Sequence, residues 1–136
     1  MQFAYWSIDD VNRELAQRLA ARMRVRLDLC DFRDSTRAVA AHIYDLDSFP
    51  ADRRAVLLAA LRAARQRTPV AIHTYRLSAG AARALRRNGV IVVRRLQLTL
   101  FMALSVTVAG LRARRRKPRS SAAGVAANPR VPATVV

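Results

Sequence analysis

The stretch 43-IYDLDSFP-50 decides how this chain is read. Ile43 and Tyr44 end an apolar run that opens at Ala40, and two aspartates, Asp45 and Asp47, follow with one residue between them. Ser48 and Pro50 then supply a helix cap and an early helical position. A strand ending in acid would carry carboxylates to the edge of a sheet. An acidic turn would merely open the next helix. The segments on either side decide between the two.

Upstream, residues 25–32 (VRLDLCDF) alternate and predict a strand, and 33–39 hold at most one or two helical turns. Residues 9–23 place Val11, Leu15, Leu19 and Met23 four apart among arginines, the pattern of an amphipathic helix. Residues 3–8 (FAYWSI) predict the first strand. Downstream, 51–67 is helical with Val56, Leu57, Ala60, Leu61 and Ala64 on one face. Residues 68–77 form a strand opened by Pro69; Ser78 caps a helix over 79–87, and Asn88-Gly89 stops it. The run 90–93 (VIVV) suits a strand buried on both faces, and 96–116 is the last helix. After Pro118 the Ala, Ser and Pro-rich remainder, 118–136, is expected to be a mobile tail on a domain of 1–117.

Strands alternating with helices imply an α/β domain, a three-layer sandwich with a parallel sheet covered on both faces. Ligands of such sheets bind beyond the carboxyl ends of the strands. Asp45 and Asp47 are therefore expected on the reactive edge, with Asp9 and Asp10 after the first strand, Thr74 near the end of the fourth, and Arg94 and Arg95 after the fifth. Clustered carboxylates repel by about 1–4 kcal/mol per pair at 4 Å, so either protons or a cation must neutralise them. Mg²⁺ suits a few carboxylates plus water and phosphate oxygens. A hydroxyl and an arginine can hold further phosphoryl oxygens, and an aspartate can accept the phosphoryl group as an acyl phosphate.

These residues resemble the receiver domains of bacterial two-component response regulators over about 3–117. The carriers are the acidic pair in SIDDVNRELAQRLAARM, the strand and proline of AHIYDLDSFP, the PVAIHTY strand and the NGVIVVRRL segment. The resemblance implies a flavodoxin-like, doubly wound five-stranded sheet in the order 2-1-3-4-5. It implies Asp45 as phosphoacceptor, weak Mg²⁺ binding at Asp9, Asp10 and Asp45, and Thr74 and Arg94 on the phosphoryl group. A histidine kinase or phosphotransfer protein would be the donor. Departures are specific. Pro50 lies five residues after Asp45, where four is usual, so Asp47 competes as acceptor. The second helix is short or missing, arginine replaces the family's lysine, and Tyr75 puts bulk where a small residue would leave the site open. The departures raise an alternative: a phosphate-independent pseudo-receiver working as a protein-interaction module. A haloacid-dehalogenase-type phosphatase is disfavoured, because no acid follows Asp52.

The formal charge is +16, and its distribution is uneven: seven arginines against eight acids in 1–50, then eighteen basic residues against Asp52 alone. This leaves an arginine-driven nucleic-acid binder as a third reading, disfavoured because no aromatic stacking platform or recognition-helix motif accompanies the charge. The lone Cys30 and a start without a basic signal region fit a cytoplasmic chain. Residues 96–111 carry no charge over sixteen positions, short of the ~20 of a membrane span, so a tail anchor is the lesser reading. Apolar on every side, this helix is expected to present Leu98, Phe101, Met102, Leu104 and Val108 to a second copy of the chain or to a partner helix.

Overall fold

The computed structural model describes residues 1–35 and 37–116; the expected tail at 118–136 lies outside them. In chain order it has β1 (Gln2–Trp6), α1 (Asp10–Arg22), β2 (Arg26–Cys30), β3 (Ala41–Asp45), a 3-10 turn (Leu46–Ser48), α2 (Ala51–Ala63), β4 (Val70–His73), α3 (Ala79–Arg87), β5 (Ile91–Val93) and α4 (Leu98–Arg116). The strands form one parallel sheet in the order β2-β1-β3-β4-β5, the flavodoxin-like arrangement expected.

Strand alternation builds two unlike faces. Phe3 and Tyr5 of β1, Ala41 and Ile43 of β3 and Ala71 of β4 join Ala16, Leu19 and Ala20 of α1 and Leu100, Phe101, Leu104 and Val108 of α4 in one core. On the other face Val70, Ile72 and Val92 pack with Leu61 of α2 and Ala82 and Leu85 of α3. The α1 stripe is rotated from the expected one: Val11 is exposed, and Ala16 and Ala20 are buried with Leu19. On α2, Val56 is exposed and Leu61 is the one fully buried residue, with Leu57 and Leu58 partly buried beside it.

Residues 33–39 contain no helical turn among the described positions, so the second helix of the doubly wound pattern is missing. Aromatic side chains cover the sheet in its place. Trp6, Phe49, Phe32 and Tyr44 cluster over β1 and β3 with Cys30, and the guanidiniums of Arg33 and Arg53 lie 5.6 and 5.7 Å from the Phe32 ring.

Helix ends follow local chemistry. Gly89, at φ 85°, takes the left-handed conformation that stops α3, as the Asn88-Gly89 pair predicts, and its N–H bonds the Arg86 carbonyl. Helix α2 ends at Ala63, short of the expected residue 67. Side-chain amides satisfy its last carbonyls: Gln66 donates to Leu61 and Ala64, and Asn88 donates to Leu61 and Arg62.

The interface expected on α4 needs correction. Phe101 and Leu104 are wholly buried and Val108 nearly so, all within this chain's own core, and Leu98 packs against that core. Of the five residues only Met102 is exposed, joined by Val106. The reason is that α4 packs with α1 on one face of the sheet, whose small residues Ala41 and Ala71 leave room for large side chains from the helix. No helix among the described residues is long and apolar enough to cross a membrane.

Candidate functional site

Alternation carries β1 through Phe3 and Tyr5 to Ser7, β3 through Ala41 and Ile43 to Asp45, and β4 through Ala71 to His73. On this face the apolar core thus turns polar at the carboxyl edge. The register sets Asp45 directly opposite His73. Asn12, in the first turn of α1, completes the group.

Asp45 is 2% exposed. Its Oδ2 accepts from Ser7 Oγ at 2.7 Å and from Asn12 Nδ2 at 3.0 Å, and its Oδ1 lies 3.9 Å from His73 Nδ1. His73 Nε2 is 2.8 Å from the Tyr5 hydroxyl. Burial drives the Tyr5 pKa far up, reinforced by the charge of Asp45, so Tyr5 keeps its proton and can donate it to Nε2. The remaining ring proton then sits on Nδ1, facing Asp45. Burial lowers the His73 pKa against the opposing pull of Asp45. The result is a chain of the buried Tyr5, His73, Asp45 and Ser7, closed by the half-buried Asn12, in which a neutral imidazole and two polar side chains surround one carboxyl group.

Asp47 belongs to a separate arrangement. It sits in the 3-10 turn, where its carboxylate accepts from the Thr74 hydroxyl and the Tyr75 N–H, with Arg76 Nε 3.6 Å away. Thr74 Oγ1 in turn accepts the Arg76 N–H at 3.0 Å. This cap ties the loop after β4 to the turn after β3. Ser48 is used locally too: its hydroxyl donates to the Asp45 carbonyl and accepts from the Ile8 N–H.

The structure therefore brings Asp45 to the carboxyl edge, as expected, but does not assemble the expected trio with Asp9 and Asp10. Asp9 is the cap of α1, its carboxylate accepting the Asn12 N–H at 3.0 Å, and Asp10 is the exposed first residue of the helix. Both fall beyond the end of β1, which stops at Trp6. Among the described residues no group of three or more His, Cys, Asp or Glu stands together as metal ligands. Around Asp45 stand the Ser7 hydroxyl, the Asn12 amide nitrogen and the His73 ring, and no second carboxylate, so this set does not supply the oxygen ligands expected for Mg²⁺ at Asp9, Asp10 and Asp45. Thr74 is buried but bonds Asp47, not Asp45. Arg94 is exposed and lines a shallow cavity with Asn12, His73, Tyr75 and Arg95. Tyr75, 67% exposed, borders that cavity and does not plug it.

The sequence pattern does not single out Ser7, Asn12, Tyr5 or His73 as members of one site. Parity along the strands was the available signal: Ser7 and Tyr5 are in phase with Phe3, and His73 ends β4 as Asp45 ends β3.

No protein-family model matches the chain, and no curated protein does. Among solved structures, it is similar to a signal receiver domain of a two-component histidine kinase protein from Clostridium thermocellum, with 13% identity, TM-score 0.56, and coverage of 79% of this chain and 95% of that one. The fold is the flavodoxin-like fold of receiver domains. A fusion carrying a yeast Spc42 trimeric coiled-coil segment is similar at 8% identity and TM-score 0.61, covering 90% of this chain and 89% of that one. At these identities the likeness concerns the fold alone.

Proposed function

We propose that the chain is a receiver-like signalling module that works by protein interaction without accepting a phosphoryl group. The observation that carries this reading is the state of Asp45: nearly fully buried, with one carboxylate oxygen held by both Ser7 and Asn12. A phosphoacceptor must present an oxygen to the donor and tolerate a dianionic product. Here attack through Oδ2 would require breaking two hydrogen bonds, and Oδ1 is turned toward the buried His73 ring, 3.9 Å away, so neither oxygen is presented to a donor at the surface. The second acidic position supports the same reading, because Asp47 serves as a loop cap.

The phosphorelay alternative, with Asp45 or Asp47 taking phosphate from a histidine kinase in the presence of Mg²⁺, keeps one observation in its favour. Asp45, Thr74 and the exposed Arg94 all lie after or at the carboxyl ends of neighbouring strands, where a phosphoryl site would form if Asp45 were released. One experiment separates the two. The full chain is incubated with acetyl phosphate and Mg²⁺, and with beryllofluoride and Mg²⁺, and followed by intact mass and amide NMR. The expected result is no mass gain and no shifts at residues 9, 10 and 45. A phosphoryl adduct abolished by Asp45→Asn overturns the proposal.

A further inference from the structure

At the amino ends of the strands, opposite Asp45, lies a cavity of about 470 Å³ whose lining holds four arginines and no acid. Arg26 opens β2, Arg67 precedes β4, and Arg112 and Arg115 lie one turn apart near the end of α4. These elements are far apart in sequence, and only the closed sheet with α4 packed across it brings the four arginines to one cavity.

Among the described residues none of the four has a carboxylate partner. The ion pairs among the described residues involve Arg18, Arg33, Arg76 and His73. All nine Asp and Glu of the chain lie between residues 9 and 52, within the described residues, so no further acidic side chain can reach the cavity from elsewhere. Four like charges around one space repel, and a multivalent anion would relieve all of them together. The lining is not wholly polar: Val39, Pro69 and Leu111 are partly buried in it, and Val108 forms part of its inner surface. The volume falls within the roughly 300–1,000 Å³ of small-molecule sites.

We infer that this cavity binds a nucleoside polyphosphate, its phosphates on the guanidiniums of Arg26, Arg67, Arg112 and Arg115 and its base against the Val39, Pro69 and Leu111 surface. Guanidinium forks match phosphate oxygens in pairs, which favours phosphate over a simple carboxylate. The apolar side favours a ligand with a planar organic part over inorganic polyphosphate. This site stands on the edge remote from Asp45 and does not depend on whether Asp45 accepts phosphate.

Titration calorimetry on the full chain at 150 mM salt tests it, with ATP, GTP and tripolyphosphate as probes. Saturable binding of at least one nucleotide, tighter than that of tripolyphosphate, is expected at one per chain. Arg26→Ala with Arg112→Ala should weaken it about tenfold or more. Arg62→Ala with Arg83→Ala, which removes the same charge on α2 and α3, should leave it unchanged. Urea midpoints of both double variants check that each is folded. The inference is overturned by absence of saturable nucleotide binding, by equal weakening in the control pair, or by equal affinity for tripolyphosphate. Binding only to single-stranded RNA or to anionic vesicles overturns it as well.

Discussion

Replacing Ser7 with alanine tests the buried carboxyl group directly. Ser7 is fully buried; its hydroxyl donates to Asp45 Oδ2 at 2.7 Å and accepts from the Asp9 N–H at 3.0 Å. The first bond is to a carboxylate in a dry site, worth about 1.5–3 kcal/mol, and the second is an ordinary bond of about 0.5–1.5 kcal/mol. Asn12 stays on the same oxygen, so the carboxylate keeps a partner, and part of the loss is recovered. The net expectation is a loss of about 2–3 kcal/mol, or about 0.7–3 M in urea midpoint at ordinary slopes of ~1–3 kcal/mol per M. The assay is equilibrium urea unfolding at pH 7 with the slope held common. Asp45→Asn serves as the second arm of a double-mutant cycle. With the charge gone, Ser7→Ala should cost only about 1 kcal/mol, which leaves a coupling of about 1 kcal/mol or more between the two residues. A Ser7→Ala loss under about 0.5 kcal/mol with no coupling would show Asp45 to be solvated and its hydrogen bonds inconsequential.

Three further outcomes are expected. Burial lowers the pKa of His42 and His73 below the ordinary 6.5, so the folded chain holds both neutral where the unfolded chain charges them. Stability is therefore full above pH 6.5 and falls as acid is added, by up to about 1.4 kcal/mol per pH unit for each histidine; urea midpoints that stay level from pH 7 to 5.5 would refute the burial of both rings. Leu104→Ala should destabilise by about 2–5 kcal/mol and Met102→Ala by under about 1 kcal/mol, since Leu104 is core and Met102 is exposed; similar small losses in thermal unfolding would return Leu104 to an interface. Asp47→Ala should cost about 1–2 kcal/mol and speed hydrogen exchange at the Tyr75 and Arg76 amides, and unchanged exchange there would discount the cap.

The periodicities of the sequence were enough to establish the α/β order, the parallel sheet, a second helix that is short or missing and the arrival of Asp45 at the carboxyl edge. Each of these depends on local pattern: alternation in β2, an apolar run ending in acid in β3, β-branched residues in β5, a glycine stop after α3, and few residues between β2 and β3 for a helix to form and return. The fate of the acids was not legible in the same way. Asp9 could serve a metal or cap a helix, and the choice turned on where β1 ends; stopping at Trp6 turned Asp9 into a cap and brought Ser7 to Asp45. Likewise, α4 is apolar on all sides in sequence, and only its packing across Ala41 and Ala71 decided that Phe101, Leu104 and Val108 belong to the core and Met102 and Val106 to the surface. The arginine cavity is entirely a tertiary product, because residues 26, 67, 112 and 115 share no local signal. The physical reason is common to all three. Periodicity reports which side chains must leave water, a property of one segment, whereas the partner of a buried polar group is set by strand register and helix crossing, which only the closed domain defines.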